Sequence, residues 1–299
     1  MSTEVRTSPW SGSVSRLNLV HGVHECTIDG VRQRYHVAGQ GPVCLVHPGG
    51  PGGHWEYLRM PLLENHMTAV YVAAVGAGES GDLPDGEYSM ERFAHFVDAL
   101  VEHLDVPDVY FLGHSAGAFA GLQYALLRPG RLAGLLLYSG APVYGPDLYT
   151  EAAAQMRLFA ERYAGHPGVA DVMDAFESQT PRTSKAELMD HMGRLLPAYF
   201  AEFWSRQHEF QEWLPTVDIE YAPAAYPADW DVRESLGEVG VPTQILAGRY
   251  DFICPVRWAE EMHKGIPASR LAIFENSGHF AHVEERERFA QTVREFLRG

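Results

Sequence analysis

The chain has 299 residues, enough to bury a sizeable core, and its 46% hydrophobic and 21% charged content is ordinary for a soluble globular protein. The formal net charge of −16 argues against nucleic acid or an anionic membrane surface as a partner. Three widely spaced cysteines, Cys26, Cys44 and Cys254, form no C-x-x-C pair, so neither a disulfide scaffold nor a zinc site is indicated. The start, Met1-Ser2-Thr3-Glu4, lacks the apolar centre of a signal peptide, and no apolar run reaches the roughly 18 residues of a membrane span. A reduced, cytoplasmic protein is the expectation.

The first dozen residues are polar and expected to fray. Residues 16–28 and 31–38 read as two strands joined at Asp29-Gly30, a hairpin turn signal. Val43-Cys44-Leu45-Val46 is wholly apolar, as suits a strand buried on both faces. His47-Pro48-Gly49-Gly50-Pro51-Gly52-Gly53 follows. Four glycines and two prolines in seven residues exclude helix and strand. They leave backbone N–H groups exposed at the end of a buried strand, where one wall of an oxyanion hole would stand. Thr68 to Val75 is the next buried strand, and Gly76 to Gly81 turns the chain. Ser89 opens a helix with Met90, Phe93, Val97, Leu100 and Leu104 on one face, and Pro107 marks its end.

Val109 to Leu112 is another apolar run. It leads into Gly113-His114-Ser115-Ala116-Gly117, and helical composition then continues to Leu127, before Pro129. Strand, tight turn and helix are the setting in which Gly-x-Ser-x-Gly means a nucleophile elbow. The turn is so sharp that a Cβ at either glycine would press on the strand or the helix. Ser115 would sit strained at the tip, over the positive end of a helix. Leu132 to Tyr138 is a further buried strand.

From about 141 to 235 no convincing buried strand is expected, and helical segments dominate. Ser184-Lys185-Ala186-Glu187 is a capping box. Tyr199, Phe200, Phe203, Trp204, Phe210, Trp213, Tyr221, Tyr226 and Trp230 crowd the stretch, and Pro215, Pro223 and Pro227 break its end into loops. The stretch reads as a helical cap (141–235) inserted between two parts of a sheet domain, 1–140 and 236–299. Most of the aromatics would form the interior of the cap, and some would line a pocket. Trp204 and Trp213, with His54, are the candidate substrate-binding residues.

The alternation then resumes. Val241 to Ala247 is a strand, with Gly248-Arg249-Tyr250-Asp251 at its C-terminal end. Trp258 to His263 belongs to a helix. Arg270 to Phe274 is the last strand, Asn276-Ser277-Gly278-His279 its loop, and Glu284 to Leu297 a closing helix. Strands alternating with helices mean an α/β fold with a mostly parallel sheet flanked by helices. Sites in such sheets lie at the C-terminal strand ends, where the His47, Ser115, Asp251 and His279 loops all fall.

A serine hydroxyl needs a base in reach and a carboxylate to orient that base. Asp251 and His279 stand after the elbow in the order Ser, Asp, His that this architecture requires. The rival acid position, after Tyr138, offers no carboxylate until Asp147. Ala116 and Gly50 are the expected N–H donors to the oxyanion. A His47/His54 metal site is disfavoured by spacing and by missing carboxylate partners, so neither metal nor cofactor is expected.

Together these features resemble the α/β-hydrolase superfamily from about residue 30 to 297. Within it, Pro48-Gly49-Gly50-Pro51-Gly52-Gly53 is similar to the H-G-G-P-G-G oxyanion loop of proline iminopeptidases and their relatives, with Pro48 where that motif has His. Those enzymes carry Asp-Gln-Arg-Gly-x-Gly-x-Ser after the next strand. Here Ala73-Ala74-Val75-Gly76-Ala77-Gly78-Glu79-Ser80 keeps the glycines and serine without the three polar residues. Their cap glutamate for the substrate amine has only Glu202 and Glu209 as stand-ins. The resemblance implies the α/β-hydrolase fold and acyl chemistry more directly than prolyl specificity.

The reading is a cofactor-free serine hydrolase, cleaving an ester or amide of a small, partly apolar molecule or short peptide through an acyl-enzyme. The alternatives are proline iminopeptidase, C–C bond hydrolase or lactonase activity, or a non-catalytic ligand-binding protein on the same fold.

Overall fold

The computed structural model describes residues 17–221 and 229–299. The expected frayed start, and Pro223, Tyr226 and Pro227, lie outside them. Strands β1 (Gly22–Ile28) and β2 (Val31–Gly39) form the expected hairpin. Its two turn residues, Asp29 and Gly30, both have positive φ, 50° and 80°, the geometry that a two-residue turn demands. The remaining strands of the main sheet are β3 (Val43–His47), β4 (Thr68–Val72), β5 (Val109–His114), β6 (Leu132–Tyr138), β9 (Thr243–Gly248) and β10 (Ser269–Phe274). Their order is β1-β2-β4-β3-β5-β6-β9-β10. The β1–β2 and β2–β4 pairs are antiparallel, and all others are parallel.

Successive residues of the central strands enter opposite layers of the core. Val43, Leu45, Phe111, Leu135 and Leu137 pack on one face, and Cys44, Val46, Leu112, Leu136 and Tyr138 on the other. A strand side chain repeats every two residues, so a run without polar interruption must be covered on both sides. Helices α1 (Pro61–Glu64), α2 (Met90–Leu104), α3 (Ala116–Leu127), α8 (Val256–Gly265) and α10 (Arg286–Leu297) supply most of the covers. The other α-helices among the described residues are α4 (Pro146–Arg162), α5 (Val169–Glu177), α6 (Lys185–Leu195), α7 (Phe203–Arg206) and α9 (Ala281–Glu284). Ser89 caps α2 by accepting the Arg92 N–H, and α2 packs on α3. The expected single closing helix is broken at Glu285. Its carboxylate turns aside to accept from Asn276 N–H and Ser277 Oγ–H.

Helices α4 to α7 occupy the expected helical stretch. Ser184 caps α6 by accepting the Glu187 N–H, while the Glu187 carboxylate takes the N–H of Thr183 rather than that of Ser184. Where no convincing buried strand is expected and helical segments are to dominate, the two ends of the stretch pair as a short antiparallel ribbon, β7 (Val143–Tyr144) with β8 (Trp230–Asp231). Trp230 belongs to the main core rather than to the helical stretch. Its ring stacks on Phe119, and its Nε1–H donates to Gln123 at 2.7 Å. All three cysteines are free thiols. Among the described residues no helix is long and apolar enough to cross a membrane.

Candidate active site

Ser115 stands between β5 and α3 with φ 55° and ψ −120°, a conformation that costs a non-glycine residue about 1–3 kcal/mol. Its surroundings hold it there. Ser115 N–H donates to the Tyr138 carbonyl at 2.9 Å, and Ala118 N–H donates to the Ser115 carbonyl at 2.8 Å. A Cβ on Gly113 would collide with the Gly117 carbonyl, and one on Gly117 with the carbonyls of His47 and Pro48. The two glycines therefore do the steric work that the motif predicts. Ala116 opens α3, where backbone N–H groups have no helical partner.

The glycine loop after β3 packs directly on the serine, because a Cβ on Gly49 would lie 2.7 Å from Ser115 Cβ. Gly49 N–H is already committed to the Tyr57 hydroxyl at 2.7 Å. Gly50 follows with φ 128°, a left-handed conformation that favours glycine.

Asp251 and His279 are 28 residues apart in sequence and meet because their loops are stitched together. Arg249 N–H donates to the Phe274 carbonyl, and Tyr250 N–H to that of Ser277, both at 2.9 Å. A Cβ on Gly248 would strike the Gly278 carbonyl, so only glycine lets the loops approach this closely. Asp251 Oδ2 lies 2.7 Å from His279 Nδ1, with both side chains buried. A carboxylate can only accept, so Nδ1 carries the proton. Nε2 of the neutral ring is then unprotonated, which is the tautomer that a general base needs.

Behind this pair, Glu284 accepts Gly278 N–H at 2.7 Å and Ala201 N–H at 2.8 Å. It ties the His279 loop to the helical stretch. Burial pushes its carboxyl up to about 8.

Ser115, His279, Gly49 and Gly50 open onto one cavity of about 550 Å³. Its wall is largely apolar, with Phe119 and Ile253 from the sheet side and Met189, Met192, Leu196 and Leu214 from the helical stretch. Asp218 is its carboxylate.

The three expected substrate-binding residues are not in that wall. Trp204 stacks on His166 and packs against Phe159 and Tyr163 inside the helical stretch. Trp213 donates its indole N–H to the Tyr57 carbonyl and packs on Phe200 and Phe280. Aromatic content marked a dense region without saying which ring faces the site.

His54 points to a polar cluster instead. Its Nε2 is 3.0 Å from Glu220 Oε1 and 3.7 Å from Asp218 Oδ2. Glu56, two residues along, brings Oε2 to 4.0 Å from His54 Nδ1, and Glu220 arrives from 166 residues along the chain. His54, Asp218 and Glu220 bring possible ligand atoms within 4.8 Å of one another. Lys185 Nζ already serves this cluster, 2.8 Å from Asp218 and 2.9 Å from Glu220. Its hydrogen bond holds the Glu220 carboxyl below the usual range. His47 lies apart, buried and bonded to the Pro48 carbonyl.

Sequence reasoning missed Tyr57, His114, Asp218 and Glu284. Only His114 carried a local signal: a titratable ring beside the serine at the end of a buried strand.

Comparison with known proteins agrees with this architecture. The chain is 30% identical to a proline iminopeptidase of Saccharolobus solfataricus, over 88% of this chain and 87% of that one. It is 26% identical to a 2-hydroxy-6-oxononadienedioate/2-hydroxy-6-oxononatrienedioate hydrolase of Escherichia coli, over 89% and 91%. An esterase from Exiguobacterium antarcticum superposes with a TM-score of 0.70 at 25% identity, over 93% of this chain and 100% of that one. The family profile described as alpha/beta hydrolase fold matches residues 42–286, and the chain belongs to that family.

Proposed function

We propose that this chain is a cofactor-free serine hydrolase that cleaves an ester or amide of a small, partly apolar molecule or short peptide. The observation that carries the reading is the buried 2.7 Å contact of Asp251 with His279, on a cavity that Ser115 shares. Ser115 Oγ attacks the substrate carbonyl carbon while His279 Nε2 takes its proton. The N–H groups of Ala116 and Gly50 receive the oxyanion. Collapse of the adduct breaks the bond to the leaving group, which takes the proton from His279. Water then attacks the acyl-enzyme, with His279 again as base, and frees Ser115. Residues 141–235 act as a cap, and the apolar side chains that they lend to the cavity select the acyl or leaving group.

Two relatives support narrower readings. Prolyl peptide cleavage draws on the 30% identical iminopeptidase and on Asp218, a carboxylate in the cavity wall that could hold an amine. Cleavage of a carbon–carbon bond draws on the 26% identical hydrolase.

The test is a fluorophosphonate probe with two chromogenic substrates, a short acyl ester and a prolyl arylamide. Labelling of the wild type, lost in Ser115→Ala, is expected, with turnover of the ester. Turnover of the arylamide alone would put peptide cleavage first. A wild-type protein that neither labels nor turns over either substrate would leave a ligand-binding protein.

A further inference from the structure

The glycine loop, the elbow and the His279 loop come from distant parts of the chain. One line of hydrogen bonds joins all three through Tyr57 and His114. Gly49 N–H donates to Tyr57 Oη at 2.7 Å. Tyr57 Oη lies 2.7 Å from His114 Nδ1. His114 Nε2 lies 3.0 Å from the His279 carbonyl.

The direction of each bond is forced. A carbonyl only accepts, so His114 Nε2 carries a proton. Burial first, and the neighbouring His279 and His282 next, hold the His114 ring well below the ordinary imidazole value. The ring is therefore neutral, and Nδ1 is an acceptor. Tyr57 must donate to it, and the Tyr57 oxygen in turn accepts from Gly49. Reversing any step would leave a buried polar group unpaired.

Tyr57 is itself held by a second pair of the same kind. Its carbonyl accepts from Trp213 Nε1–H and from His282 Nε2–H, both at 2.8 Å. Tyr138 Oη donates to His282 Nδ1 at 2.9 Å and accepts the His282 N–H at 3.1 Å.

We propose that Tyr57 and His114 are positioning residues that set the oxyanion loop, the nucleophile and the base in register through this one-way chain. The proposal rests on the serine-hydrolase reading. Because Tyr57 consumes the Gly49 amide, the Gly50 amide is the loop's donor to the oxyanion. Because His114 pins the His279 backbone while Asp251 pins its ring, the base is fixed at both ends.

Tyr57→Phe tests this, since it keeps the ring and deletes the hydroxyl. Ester kcat should fall roughly ten- to hundredfold with little change in KM, and the rate of phosphonate labelling should fall in step. Phe93→Leu, in the α2 core, supplies a control that loses Tm and keeps kcat. Tyr57→Phe with wild-type kcat would overturn the proposal.

A second measurement needs no variant. Nitrogen-15 NMR of the wild type should show His114 as the neutral Nε2–H tautomer between about pH 6 and 8. An Nδ1–H tautomer would overturn the chain while leaving Ser115 labelling intact. Wild-type protein that fails to label would remove the nucleophile, and the positioning role with it, while leaving the tautomer as it is. The two failures are therefore distinguishable.

Discussion

Asp251 holds His279 with one carboxylate oxygen and its own loop with the other. Oδ2 lies 2.7 Å from His279 Nδ1, while Oδ1 accepts the N–H groups of Ile253 at 3.0 Å and Cys254 at 2.9 Å. In Asp251→Asn the loop amides would keep the amide oxygen and turn the NH₂ toward His279. Nδ1 would then have to accept, and Nε2 would carry the proton. Ester kcat should fall roughly 10³–10⁴-fold with little change in Tm, as measured by steady-state kinetics and thermal melting. Activity within tenfold of wild type would show that Asp251 does not orient the base.

Stability should peak near neutral pH, and the sign follows from four buried groups. Burial lowers His47 and His282 to about 4 from 6.5, and lowers His114 as well. A depressed histidine stabilises the fold fully above its unfolded value, and that contribution is lost as pH falls from 6.5 toward 4. Glu284 runs the other way, because burial raises its carboxyl from 4.5 to about 8. Its contribution is fully present below 4.5 and is lost as pH rises through 8. Above 6.5 Glu284 acts alone among the four, with a limiting slope of roughly 1.4 kcal/mol per pH unit. Urea midpoints across this range should rise and then decline, and Glu284→Gln should flatten the decline. A decline unchanged in that variant would place its cause elsewhere.

Lys185 governs how much negative charge the cavity sees. Its ammonium pairs with Asp218 and Glu220, all three side chains being more than a third exposed. Lys185→Ala would leave Asp218 without that cation in the cavity wall. The ratio of kcat/KM for the prolyl arylamide to that for the neutral ester should rise about threefold, as suits a pair worth no more than roughly 1 kcal/mol. A ratio that stays level or falls would remove Asp218 from substrate selection.

The parts of the site that depend on short-range sterics were legible in the residues. Gly113 and Gly117 announce Ser115 because a Cβ at either collides with backbone a few residues away or on the next strand. Asp251 and His279 could be read from their places at the ends of β9 and β10, since a parallel sheet gathers those ends together. Trp204 and Trp213 could not be placed, because an aromatic ring packs equally well into a segment's interior and into a pocket wall. Tyr57 and Glu284 depend on partners 57 and 83 residues distant, and nothing local reports such a meeting, while the place of His114 beside the serine signals the ring but not its partner 165 residues away. The same holds for the β7–β8 ribbon: two residues per strand are too few to show a period.

An isolated antiparallel bridge joins Gly53, at the end of the glycine loop, to Ile219 of the stretch that roofs the cavity. His54 N–H donates to the Asp218 carbonyl at 2.9 Å, and Glu220 N–H to that of Gly52 at 2.8 Å. Recombination between relatives meets a constraint here. A roof transplanted from a homologue would need to bring its own matching strand at this position, or the loop beside Ser115 would lose its support. In this chain the loop beside Ser115 and the segment at Asp218 to Glu220 are joined through their backbones, so neither can be exchanged alone.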